Sequence, residues 1–152
     1  MLSQPSSAKD SLAAALRWFE KGSRFATCAD VELRDGEPVV TRLVTAVDCG
    51  GIIDRQNLVN QIEGATVMGL GAALFERVEL VHGAVGNTTF STYRVPRFRD
   101  VPVIEVILVD RLDATPAGVG ETPIIGVAPA VANAIRALTG ERIRALPLLP
   151  DR

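Results

Sequence analysis

The chain has 152 residues, 47% of them hydrophobic and 22% charged, enough to bury one core and ordinary for a globular domain. A formal charge of −2 with no basic stripe argues against nucleic acid or an anionic membrane surface as a partner. No apolar run approaches the ~20 residues of a spanning helix, and residues 1–7 are polar where a secretory signal would be basic and then apolar, so the expectation is a cytoplasmic chain, or a periplasmic one carried by an exported partner.

Residues 8–21 place Leu12, Ala15, Leu16 and Phe19 on one helical face with Gly22 as a stop. This predicts an N-terminal helical segment within 1–23, followed by a single domain over 24–152. From 24 to 47, Phe25, Thr27, Ala29, Val31 and Leu33 alternate, and Val39, Thr41, Leu43, Thr45 and Val47 return, the pattern of an antiparallel hairpin around Asp35-Gly36. Pairing Arg34 with Glu37 sets Cys28 opposite Leu43 and carries Cys49 too far along the ladder for a disulfide. Both cysteines read as free thiols of a reducing compartment. They lack zinc spacing and the lone His82 cannot complete a site, so no metal ligands are predicted.

After a turn at Asp48-Cys49-Gly50-Gly51, residues 57–75 have the length of a helix but carry Gly64, Gly69 and Gly71 inside it. Each interior glycine costs ~1 kcal/mol relative to Ala, so close approach of a backbone or a bulky ligand is the expected reason for them. On helical spacing Asn57, Gln61, Gly64, Met68 and Gly71 share a face, which stands Gln61 beside a glycine-lined groove. Its amide can donate and accept, as the polar edge of a ligand requires; the plainer reading is a buried glutamine bonded to local backbone. Residues 75–95 read as further strand and turn, with a solvated His82 at the His82-Gly83 turn. Arg94, Arg97 and Arg99 read as structural or interfacial. Residues 102–110, apolar on both faces, predict a central strand.

That strand leads to Gly118-Val119-Gly120-Glu121, where the two glycines permit positive φ and close backbone approach to a ligand. No basic residue lies between Arg111 and Arg136, and a carboxyl held in such apolar company is suited to general-base work near neutral pH. The plainer reading is a solvated surface turn. Pro129 at a first helical position, Gly140 just past an end and Val131, Ile135 and Leu138 on one face predict a helix over 129–139. The fold class expected from these elements is α+β, an antiparallel or mixed sheet with hairpins packed against two or three helices.

The Gly118-Val119-Gly120-Glu121 run, followed by Ala128-Pro129-Ala130-Val131-Ala132-Asn133-Ala134-Ile135, resembles the carboxy-terminal signature of the molybdopterin-binding subunit of the xanthine dehydrogenase and aldehyde oxidase family. It is most similar to the isoquinoline 1-oxidoreductase β-subunit-like branch. Further blocks follow the family's order across about 24–148: Ala46-Val47-Asp48-Cys49-Gly50, Gln61-Ile62-Glu63-Gly64-Ala65, Gly69-Leu70-Gly71-Ala72-Ala73-Leu74 and Arg142-Ile143-Arg144-Ala145-Leu146-Pro147-Leu148. The segment before them lies outside the strongest similarity.

The resemblance implies part of a molybdenum hydroxylase, an oxidoreductase that hydroxylates an N-heterocycle or aldehyde with oxygen from water. It implies a molybdenum-pyranopterin (molybdopterin) cofactor completed by regions outside this chain, with Gln61, Gly64, Gly118, Val119 and Gly120 beside it and Glu121 as the base. It also implies two protein partners, the remaining part of the subunit and an iron–sulfur subunit, with iron–sulfur clusters and flavin or cytochrome on partners only. Because the similarity covers only the last part of a longer subunit, the isolated chain is expected to be inactive. A split subunit, a truncated fragment and a retired structural or partner-binding domain all remain open. Thr122-Pro123-Ile124-Ile125 after the acid, and Ala65 in place of a frequent second glycine, depart from the family's pattern.

Overall fold

Asp35 and Gly36 both take positive φ, 54° and 86°, the backbone of a two-residue hairpin turn whose twist matches that of its strands. They join β2 (Arg24–Arg34) to β3 (Glu37–Asp48), with Arg34 opposite Glu37 as the spacing predicts. A computed structural model describes residues 22–149, together with the backbone of 13–18. Farther from the turn the register slips: Val31 faces Val40, Asp30 faces Arg42, and Thr41 is the extra residue of a β-bulge, its hydroxyl donating to the Asp30 carbonyl at 3.2 Å. Cys28 therefore lies opposite Val44, not Leu43. The bulge has a packing reason. Leu43, Thr45 and Val47 are buried, but near the turn it is Val40 that is buried while Val39 and Thr41 are half-buried. One extra residue lets β3 change parity and keep its apolar side facing Phe25, Thr27, Ala29 and Val31.

The sheet order is β1-β2-β3-β6. β1 (Ala13–Trp18) runs antiparallel to β2, from Ala13 opposite Ala29 to Trp18 opposite Arg24. This corrects the helix expected over 8–21: between 13 and 18 the open edge of β2 supplies backbone partners that local helical spacing does not count, while 1–12 and 19–21 lie outside the described residues. β6 (Val103–Val109) pairs parallel with β3 and forms the other end of the sheet, an edge rather than the central strand expected. Val103, Ile107 and Val109 on its outer face are 61%, 52% and 43% exposed. On that face Arg42 donates to both Glu105 oxygens at 2.8 Å and lies 3.5 Å from Asp30, linking three strands. Its hydrogen bonds hold the Glu105 carboxyl below the usual range.

Two helices cover the opposite face. α1 (Arg55–Leu74) starts earlier than expected because Asp54 caps it, accepting the Asn57 N–H at 3.0 Å. α2 (Ile124–Thr139) ends where predicted, on Gly140 with φ 80°. It begins at Ile124 rather than at 129, so Pro129 lies inside it instead of at its first position. Ala29, Val31 and Leu43 of the sheet meet Leu70 and Ala73 of α1 and Val127, Val131 and Ile135 of α2 in the main core. A second cluster gathers Phe25, Val47, Cys49, Leu58 and Ile62. Between α1 and β6 the chain forms one short hairpin, β4 (Leu80–Val81) and β5 (Ala84–Val85), with an exposed His82 at its turn, and one 3-10 turn at Phe98–Asp100. The other strand material expected over 75–95 is irregular. The buried Asn87 amide holds it, accepting from Glu79 N at 3.0 Å and donating to the Arg77 carbonyl at 2.6 Å. Arg94 is structural, 3.9 Å above the Phe75 ring and paired with Asp100 at 3.2 Å, whereas Arg97 and Arg99 are exposed.

The interior glycines of the helices divide by cause. A Cβ on Gly126 would stand 2.5 Å from Thr27 Oγ1, one on Gly69 3.0 Å from the Ile124 carbonyl, and one on Gly71 2.6 Å from Pro96 Cγ. Gly64 meets nothing within 4 Å. Gly126→Ala should therefore destabilise the chain by about 1–3 kcal/mol through overpacking of α2 on β2. Gly64→Ala should stabilise it by up to about 1 kcal/mol through helix propensity. Urea unfolding of the two variants checks both signs.

Candidate functional site

The segment between β6 and α2 has no regular structure of its own, so its course is set by what it is tied to. Asp48, at the end of β3, accepts the Gly50 N–H at 3.2 Å and lies 3.8 Å from Arg24 and 3.7 Å from Arg111. The turn after it then bonds to the returning chain three times. Arg111 N donates to Gly50 O at 3.4 Å, Gly51 N to Ala114 O at 3.1 Å, and Ala117 N to Cys49 O at 2.8 Å. Gly50 has φ 74°, and a Cβ there would lie 2.3 Å from the Thr115 carbonyl. The glycine is thus required twice, by conformation and by contact. Cys49 itself is buried, and burial, with Asp48 adding to it, pushes its thiol up.

From Ala117 the chain enters Gly118-Val119-Gly120-Glu121. The Ser23 hydroxyl, just ahead of β2, donates to the Gly118 carbonyl at 2.8 Å. Val119 turns its side chain onto the second cluster of Phe25, Val47, Cys49, Leu58 and Ile62, leaving its backbone as the part another molecule could meet. Gln61, reaching from α1, donates Nε2–H to the Gly120 carbonyl at 2.5 Å. Both readings of Gln61 meet here in part: it bonds backbone, but backbone 59 residues away, and it is exposed rather than buried. Among the described residues one amide N–H and the Oε1 have no further partner.

Gly118 and Gly120 are exposed, and neither takes the positive φ their type permits. Like Gly64, one turn along α1 from Gln61, they meet no atom within 4 Å of where a Cβ would stand. Among the described residues nothing requires those three glycines to lack side chains. Glu121 is exposed and, with Thr122, Ile124 and Ile125, lines a concavity of about 240 Å³. The apolar company expected for its carboxyl is thus present on one side only. Thr122 is 5% exposed, and its buried Oγ1 has no hydrogen-bond partner among the described residues. On the other expected face, Asn57, Gln61, Gly64 and Met68 are exposed together, while Gly71 is buried under Pro96. The structure therefore brings Gln61, Gly118, Val119, Gly120 and Glu121 to one place, with Gly64 beside them. Ser23 and the Asp48 ion pairs belong to the same assembly, and the sequence carries no signal for them beyond the turn residues at 48–51.

The profile of the molybdopterin cofactor-binding domain matches residues 19–102. The chain belongs to that family. It is 37% identical over 111 residues to the beta subunit of isoquinoline 1-oxidoreductase from Brevundimonas diminuta, a match that takes in 73% of this chain and 14% of that protein. It is 33% identical over 122 residues to a subunit of nicotinate dehydrogenase from Pseudomonas putida, covering 80% of this chain and 10% of the relative. The crystal structure of quinoline 2-oxidoreductase from Pseudomonas putida 86 superposes with a TM-score of 0.75 at 26% identity, over 86% of this chain and 18% of that one. The chain thus spans only a small fraction of the length of the proteins it matches.

The clamp on the turn can be tested directly. Gly50→Ala forces a positive-φ alanine against the Thr115 carbonyl and should cost at least about 1–3 kcal/mol in chemical denaturation. Gly51→Ala, whose Cβ would have its nearest contact at 3.5 Å, should stay close to wild type.

Proposed function

We propose that this chain is the part of a molybdenum hydroxylase subunit that supplies the general base, Glu121, and one wall of the molybdopterin site, the hydroxylated substrate being an N-heterocycle or an aldehyde. The observation that carries the reading is the joining of Gln61 to the Gly120 carbonyl, which fixes the base-bearing turn against α1, where Gly64, Gly118 and Gly120 each have open space at the Cβ position. A planar ligand with hydrogen-bonding edges fits such a wall, because its ring can lie against backbone without meeting a Cβ and the free half of the Gln61 amide can serve an edge. The residues present therefore suit a pyranopterin. When bound, that cofactor supplies the metal centre that polarises water and accepts electrons from the substrate.

This chain's own contribution is positioning and proton transfer. Glu121 accepts a proton at its carboxylate from the attacking water, and Ile124 and Ile125 flank it with apolar surface. Gln61 orients both the ligand edge and the turn. The remaining polypeptide of the enzyme would close the exposed side and exclude water, and an iron–sulfur partner would carry the electrons onward. Both relatives are named as single subunits of larger enzymes, which supports such an assembly.

In the assembled enzyme, Glu121→Gln keeps shape and reach but cannot take the proton, so turnover per molybdenum should fall ~10²–10⁴-fold with metal content unchanged. Gln61→Ala should lower molybdenum and pterin content first, with activity per bound metal reduced less. Near-wild-type turnover of Glu121→Gln would leave a non-catalytic, partner-binding domain as the reading to keep.

A further inference from the structure

Beside the packing of Val119, three hydrogen bonds among the described residues hold the turn that carries Glu121, and they differ in kind. The Ala117 N–H to Cys49 bond is backbone to backbone, and the Gln61 bond comes from an exposed amide that a ligand can also engage. The third comes from Ser23, which is 1% exposed and whose hydroxyl bonds the Gly118 carbonyl from 95 residues away. Resting on the catalytic reading of Glu121 above, we propose that Ser23 is a positioning residue: its buried hydroxyl fixes the carbonyl of Gly118 and so sets where the Glu121 carboxylate stands.

The physical case rests on burial and on the absence of regular structure in the turn. The Ser23 hydroxyl cannot turn to bulk water without opening the protein, because its residue is 1% exposed, so it stays on the Gly118 carbonyl and holds it more strictly than a fully exposed donor would. Residues 115–119 make no helix or strand that would hold them independently. Ser23 itself is held by its place directly ahead of β2, whose first residue, Arg24, is in register with Asp48. The start of β2, the end of β3 and the base-bearing turn thereby become one unit. Removing the hydroxyl frees the carbonyl of the exposed Gly118 to turn to solvent and deletes only one atom, so the core around it survives.

The test is hydrogen–deuterium exchange on the full chain, followed by kinetics on the assembled enzyme. Ser23→Ala should speed exchange of the Ala117 amide, which is bonded to the Cys49 carbonyl, by about 2- to 12-fold, the range of one net hydrogen bond, with β2, β3 and α2 unchanged. Ser23→Thr, which keeps the hydroxyl, should restore the slow exchange. Thr66→Val serves as the control, since it removes a buried hydroxyl-to-carbonyl bond of 2.7 Å inside α1 and should not act selectively on Ala117. In the enzyme, Ser23→Ala should lower kcat with KM and molybdenum content little changed. Exchange that is unaltered at Ala117, or accelerated evenly along the chain, overturns the proposal. So does an unchanged kcat in an enzyme that Glu121→Gln inactivates. If Glu121→Gln is itself without effect, the catalytic reading fails, whereas the exchange result still reports whether Ser23 holds the turn.

Discussion

Helix α2 can lie on the sheet only because residue 126 has no side chain. With Thr27 Oγ1 2.5 Å from where a Cβ would stand, the helix axis is set at a distance that any other residue would increase. Gly69 does the same for the crossing of α1 on α2, its Cβ position being 3.0 Å from both the Ile124 carbonyl and Val127. Since α2 begins three residues after Glu121, these two contacts decide where the acid emerges. The Thr27 hydroxyl under Gly126 is buried and lies 3.3 Å from that of Thr45, so even the polar atoms beneath the helix are partnered within the sheet.

The turn that carries Glu121 is held from the sheet as well as from α1. Asp48, with Arg24 and Arg111 near its carboxylate, fixes the end of β3, and the backbone bonds of Cys49, Gly50 and Gly51 pass that position on to 111–117. Val119 then buries its side chain in the cluster built by Phe25 and Val47. A short irregular segment is thus as firmly placed as a strand, while its glycines face outward. Rigid support behind and open backbone in front is the arrangement a site needs when its ligand is completed by other polypeptide.

Much of this was legible in the residues. Asp35-Gly36 announced the hairpin and Gly140 the end of α2. The losses have physical causes. Thr41 has the same preference for extended backbone as its neighbours, so nothing local marks it as the residue the ladder omits. Ala13, Ala14 and Ala15 suit a helix by propensity, and only the edge of β2 makes them strand. Pro129 suits a first turn, yet packing of Val127 and Ala130 against the sheet carries the helix back past it. Ser23 is a common residue type in an unremarkable setting, and its partner is 95 residues distant. Contacts of that range leave no periodic trace.

The outer edge of β6 has one more consequence. Among the described residues nothing pairs with that edge, and Val103, Ile107 and Val109 stand out from the sheet beside it. A free parallel edge with an apolar side is a template on which another strand can grow, and solubility then depends on the few groups that interrupt it. Here they are Pro102, which brings no N–H, and the Arg42–Glu105 ion pair in the middle of the strand. Acid that protonates Glu105, or salt that screens the pair, weakens this guard without touching the core. A preparation of this chain is therefore best kept near neutral pH and at low ionic strength, where edge-to-edge association is most strongly opposed.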